Sequence, residues 1–303
     1  MHTGLLLTTL IIAGLMRWTY LRLVYPRRLQ QSWSQRWHQA LAAFVIPPLS
    51  LIMVAIAIVM MGRRGSMWGL PVGYLGSLLS LGIIGFAAAT LIDLVWRERQ
   101  LQRSLTRLPQ TVVADSYFAC RAEIDTVFAG YVGAWNPVLI LSQPLLDTLN
   151  PSELDAVLAH ETAHLNYKDN LFFFYLGWLR RLMPWLLGTT ILWEELLLLR
   201  EIRADRYAAQ LIDSLTVAEA LLTVVQSTLR SPQPTSNASL PLQASPMVAF
   251  TAATESSANF TERIETLLSH PSPPPANPAQ LIVSIGLWIG LGLPFLSIAF
   301  HHL

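Results

Sequence analysis

Two apolar runs, residues 40–61 and 72–96, leave this chain little freedom in what it can fold into. Each is close to the roughly 20 residues that an α-helix needs to cross a bilayer, and in hydrocarbon only helices or closed barrels satisfy the backbone's own polar groups. A shorter run at 4–23, with Trp18 and Tyr20 as interface anchors, and a last one at 281–300 bring the expected spans to about four. Arg17 is expected at the interface. A cleaved signal peptide is the competing reading of 4–23, but no Lys or Arg precedes the run and no clear small-residue cleavage site follows it. Composition agrees with a membrane protein: 53% of residues are hydrophobic, 13% are charged and the mean hydropathy is +0.44. A net charge of +1 without a basic tract argues against nucleic acid as a partner. The single cysteine, Cys120, excludes a disulfide framework and a thiolate metal cluster, and reads as a buried small residue.

Arginines set the expected orientation. Arg17, Arg22, Arg27, Arg28 and Arg36 lie within 17–38, and Arg97, Arg99, Arg103 and Arg107 follow the third run, whereas only Arg63 and Arg64 separate the second from the third. The positive-inside rule then places 17–38 and the segment after 96 in the cytoplasm, with the N-terminus outside. Pro47-Pro48 should kink or shorten the second span. Asp93 is expected at the interface beside Arg97, with a buried proton-relay role as the weaker alternative.

Chemistry enters at His160-Glu161-Thr162-Ala163-His164. The flanking residues predict a helix: Asn150 suits the N-cap, Pro151 the first helical position, and Glu153 the acid of a capping box. Two histidines four residues apart share a helix face and can bind one metal ion, and Glu161 is placed to act as general base toward a metal-activated water. By itself the pattern is short enough to arise by chance. A second helical stretch, 199–209, carries Glu201 and Asp205 at i, i+4. Glu201 supplies the third ligand of a His₂Glu zinc site that leaves a fourth position for water. Asp205, one turn on, can accept a hydrogen bond from a ligating histidine and fix its tautomer. The bland alternative is an exposed charge ladder with Arg200, Arg203 and Arg206. Glu194 and Glu195 compete with Glu201 as ligands but rank below it, because neither has an acid four residues on.

With these residues in view, the chain resembles the gluzincin membrane metallopeptidases: the HtpX-type and CAAX prenyl proteases, and the protease domain of the beta-lactam sensor-transducers. The strand-like 137–142, Asp169 five residues after His164, and Arg263-Ile264 also match, over roughly 115–270. The resemblance implies that His160, His164 and Glu201 hold one Zn²⁺ per chain and that Glu161 is the catalytic base. The His-Pro pair expected just before Arg263 in the HtpX pattern is missing, which favours the sensor-transducer-like group and leaves the oxyanion stabiliser unassigned.

The expected fold is therefore a mainly α integral membrane protein with about four transmembrane helices and a zincin-like α+β metalloprotease domain. Residues 1–108 form the N-terminal membrane region with three spans, 109–270 the protease domain, and 271–303 a Pro-rich linker with the last span. Within the protease domain, 126–132 and 138–141 read as strands around a turn, one of them an edge strand able to bind extended peptide beside the metal. The segment 171–193, interrupted by Arg180, Arg181 and Pro184, reads as interfacial or re-entrant. Residues 214–229 form an amphipathic helix, 231–259 a mobile loop, and 260–268 a short helix. The functional expectation is a membrane-bound zinc endopeptidase that cleaves protein or peptide substrates at the cytoplasmic face of a bacterial-type plasma membrane. Its rivals are a non-catalytic zinc-containing signalling or scaffold protein and an intramembrane-cleaving protease.

Overall fold

Among the described residues three helices are long and apolar enough to cross a membrane: His2–Gln30, Trp33–Met61 and Tyr74–Leu105. The computed structural model describes residues 2–61, 66–67, 70–71, 74–107, 110–113, 117–122, 124, 126–230 and 257–269. The expected linker after 271 and the expected span at 281–300 lie outside them, as does nearly all of the expected loop at 231–259. The described residues divide into two compact units, one drawn from Met1–Leu94 and Leu176–Leu196, the other from Val95–Tyr175 and Leu197–Pro274.

In the first unit, α1 (His2–Thr19) continues through a π turn at Tyr20–Val24 and a 3₁₀ turn at Tyr25–Gln30. Helix α2 (Trp33–Met61) runs unbroken through Pro47 and Pro48 rather than stopping there. A proline has no N–H, so Pro48 orphans the carbonyl of Phe44 one turn earlier. Arg17 repairs this by donating to Phe44 O at 3.3 Å, and also reaches Leu187 O at 3.4 Å and Thr189 Oγ1 at 3.2 Å. Arg17 is thus buried at 1% exposure, its guanidinium spent on protein oxygens rather than on water.

The chain returns to this unit between α6 (Asp169–Leu182) and α7 (Thr189–Leu211), where Gly188, at φ 73°, makes the turn. Leu182, Met183 and Leu186 pack on Leu10 and Ala13 of α1 and Leu51 of α2. The indole N–H of Trp178 donates to Ala87 O at 3.0 Å on α3 (Tyr74–Leu105), and Asp93 pairs with Arg181 at 3.1 Å.

The second unit is built on a four-stranded sheet. Two residue pairs of the first unit, β1 (Ser66–Met67) and β2 (Leu70–Pro71), form a separate short ladder. The sheet consists of β3 (Gln110–Val113), β4 (Tyr117–Ala122), β5 (Ala129–Val132) and β6 (Val138–Ser142) in the order β3-β4-β6-β5. Only the β4–β6 pairing is parallel. Period two sorts the side chains. Cys120, Ala122 and Ile140 pack with Leu101 and Leu105 of α3, while Ala119, Leu139 and Leu141 pack with Leu145, Leu149 and Leu158 on the other side. Burial on both faces is why β6 reads as an uninterrupted apolar run. Helices α4 (Gln143–Thr148), α5 (Pro151–Asn166), α8 (Ser214–Arg230) and α9 (Ser257–Leu268) complete the unit. Small residues let α5, α7, α8 and α9 approach closely, with Ala156, Ala159, Ala208, Ala218 and Ala220 buried together.

Candidate metal centre

The start of α5 is fixed by its cap. Asn150 Oδ1 accepts from the Glu153 N–H at 2.9 Å and Glu153 Oε2 accepts from the Asn150 N–H at 2.9 Å, a complete capping box. Three turns later His160 and His164 lie on one face with Nε2 atoms 3.2 Å apart and rings at 81°. Helix α7 brings Glu201 against them: Oε2 is 3.3 Å from His160 Nε2, and Oε1 is 3.7 Å from His164 Nε2. One donor atom from each residue lies within 4.8 Å of the others, a set that can hold one metal ion. Two donors about 2.0–2.1 Å from a tetrahedral zinc stand about 3.3 Å apart, so the observed spacings fit that ion.

Each ligand candidate is held from behind. His160 Nδ1 is 2.9 Å from Asp205 Oδ1, and Asp205 accepts two hydrogen bonds from Arg263, each 2.8 Å. His164 Nδ1 is 2.8 Å from Asp169 Oδ2, and the other oxygen of Asp169 accepts from Arg203. Glu201 Oε1 accepts from Arg200 Nε at 2.8 Å and from its terminal nitrogen at 2.6 Å, which leaves Oε2 for the histidine side. Lys168, at φ 55°, turns the chain sharply between α5 and α6 so that Asp169 comes back onto His164. A non-glycine residue in this region is uncommon, and here it serves the site.

The electrostatics follow from this wiring. Burial opposes ionisation of Glu201, yet Arg200 and His164 hold its carboxyl well below the usual range. Burial likewise opposes the charge on Asp205 and Asp169, and Arg263 and His164, respectively, overcome it, so both carboxyls sit low. Burial would lower the pKa of His160, but its hydrogen bonds to Asp205 and Glu201 push it up to about 10. Arg263 is desolvated too, and Asp205 more than restores its preference for the charged form.

Glu161 is half-buried and lines, with His160, Glu201, Asp205 and Arg263, a cavity of about 530 Å³. Tyr131 on β5 is raised first by burial and then by the charge of Glu161, which places strand and acid near each other. β5 is an edge strand. The Ser142 N–H donates to Phe128 O at 2.9 Å, so by antiparallel alternation Ala129, Tyr131 and Gly133 turn their backbone groups outward. Asn170 takes two of these, donating to Tyr131 O at 2.7 Å and Gly133 O at 3.0 Å, and leaves Ala129, which also lines the cavity.

The structure thus brings together all five residues singled out from the sequence: His160, Glu161, His164, Glu201 and Asp205. Arg200 and Arg203 are 5% and 6% exposed and bonded to site carboxylates, so the ladder of solvated charges is not what forms. Glu195 is committed elsewhere, 2.8 Å from Arg36 Nε in the first unit. The positioning of Asp169 by Lys168, and the arginines behind the carboxylates, escaped the sequence reading. Their one signal was that Asp169 and Arg263 belong to the resemblance.

No curated protein and no solved structure matches the chain. A family model, peptidase family M48, matches residues 96–274. That span holds every residue of the metal centre. It also answers the missing His-Pro pair, which pointed toward the sensor-transducers: two residues weigh less than a match over the whole domain. The chain belongs to peptidase family M48, the metallopeptidases of the HtpX and CAAX-protease type.

Proposed function

We propose that the chain is a zinc-dependent endopeptidase that cleaves protein substrates at the cytoplasmic face of a membrane. The observation that carries this reading is the convergence of His160, His164 and Glu201 at tetrahedral donor spacing, beside a cavity that His160, Glu201 and Glu161 line. These three residues would hold one Zn²⁺ per chain. Bound there, the ion supplies Lewis-acid polarisation of the scissile carbonyl and a more acidic attacking water. Glu161 accepts the proton of that water as it attacks and delivers it to the leaving amine. Asp205 and Asp169 keep Nδ1 of each histidine occupied, so that Nε2 of both faces the centre. The outward backbone of Ala129 aligns an extended peptide beside Glu161.

The arginines at 17–38 and after 96 support a cytoplasmic catalytic domain and an outside N-terminus in a plasma membrane. Packing of Met183 and Leu186 on Ala13 supports a re-entrant course for 171–193. The division at 108 and 270, the loop at 231–259 and the fourth span are retained from the sequence. None of the donor residues lies in the three membrane-length helices, which disfavours intramembrane cleavage.

Glu161→Gln is the decisive variant. It should bind zinc in the same 1:1 ratio as the parent while cleavage of a casein-type substrate falls about 10²–10⁴-fold or more. Unchanged hydrolysis by the purified variant would overturn the reading, and absence of metal from the active parent would do the same.

A further inference from the structure

One wall of the cavity at Glu161 differs in chemistry from the metal centre opposite it. Val217, Ala220, Leu221, Val224 and Val225 line it from α8, with Phe260 from α9. On α8 they fall at i, i+3, i+4, i+7 and i+8, a single helical stripe. Leu145 and Val157 flank it. Every charged group lining the cavity belongs to the metal centre, and beyond it the polar contributions are Gln226 and Thr261. Val217 and Ala220 are buried at the base of the stripe, whereas Leu221, Val224 and Val225 are only half-buried among the described residues and line the cavity.

We propose that this stripe is a specificity site that selects peptides with two bulky apolar residues, spaced i and i+2, on one side of the scissile bond. The proposal rests on the metallopeptidase reading above and names the substrate class for the same site. The cavity as a whole, about 530 Å³, falls within the roughly 300–1,000 Å³ of ligand pockets and takes more than one side chain. Ala129 contributes both an outward-turned backbone on the β5 edge and part of the lining. A peptide paired there is extended, and in an extended chain residues i and i+2 project to the same side. Both would enter the stripe. A charged side chain in either position would shed its hydration against a wall that offers no counter-charge.

The test uses the zinc-loaded full chain in detergent and a set of quenched fluorescent peptides differing at those two positions. Peptides with Leu or Phe at both should be cleaved with kcat/KM about 10–100-fold above those with Asp or Lys at either. Leu221→Asp should lower cleavage of the apolar peptides by a similar factor and raise that of a peptide with Lys at one position, an exchange that mere loss of packing would not produce. Binding of the same peptides to the Glu161→Gln protein, read by fluorescence anisotropy, should follow the same ranking and covers slow turnover. Equal cleavage of charged and apolar peptides, with Glu161→Gln inactive toward both, overturns the specificity site and leaves the peptidase reading intact. Cleavage that persists in Glu161→Gln overturns the peptidase reading instead.

Discussion

The side chains around the candidate metal centre divide the work of holding it, and their roles can be tested singly. Asp205→Asn and Asp169→Asn keep the shape of the side chain but remove the charge that faces a histidine. Each should weaken zinc binding about 10–100-fold in competition with a chelator, with the protein still folded. Acidity provides a second measurement. The hydrogen bonds of His160 to Asp205 and Glu201 outweigh its burial and push its pKa up from 6.5 to about 10, so zinc binding there should displace a proton. Calorimetry in buffers of different ionisation heat should show about one proton released per site at pH 7, and affinity should climb with pH. Because the folded pKa lies above the unfolded one, its stabilising effect is complete below pH 6.5 and is lost as pH rises toward 10. Thermal unfolding of the chelator-treated protein should track that loss. The candidate ligands were legible because H-E-x-x-H and E-x-x-x-D each lie within a single helix, where a spacing of four fixes a shared face. Arg200, Arg203 and Arg263 were not legible, since an arginine beside a carboxylate reads as a solvated pair until another helix buries it.

At the level of elements, local chemistry decided some structures and distant pairing decided others. The capping box of α5 is contained in four consecutive residues and forms as its sequence predicts. Asn150→Ala removes the acceptor for the Glu153 N–H and should cost about 0.5–2 kcal/mol, measurable by chemical or thermal unfolding of the solubilised chain. The expected strands at 126–132 and 138–141 correspond to β5 and β6, joined by a turn in which Gly133 takes φ 108°. β3 and β4 were missed as separate strands. β4 meets β6 in parallel register, Ala119 against Leu139, so it depends on a crossover that no local pattern announces. Helix α2 shows the reverse case: two adjacent prolines predict a kinked or shortened span, yet the helix keeps its full length from Trp33 to Met61, with Arg17 of α1 supplying the donor that Phe44 O lost.

For the molecule as a whole, hydropathy identified the three membrane-length helices and said nothing of what holds them together. Arg17 binds α1 to the orphaned carbonyl of α2 and to the α6–α7 turn, all within the first unit. Arg17→Met should therefore lower stability by about 1–3 kcal/mol, since it strands buried acceptors. In a Pro48→Ala background, where Phe44 O regains its helical donor, the same change should cost less, and a double-mutant cycle by unfolding in detergent micelles measures the difference. The Asn170 clamp on β5 has its own consequence. An unpaired strand beside a reactive centre is useful for gripping extended chains, and it is equally a template on which neighbouring molecules can grow a shared sheet. By occupying two carbonyls of that border, one amide shortens the stretch on which another chain could pair, so Asn170→Ala should raise the tendency of the solubilised chain to self-associate, measurable by light scattering.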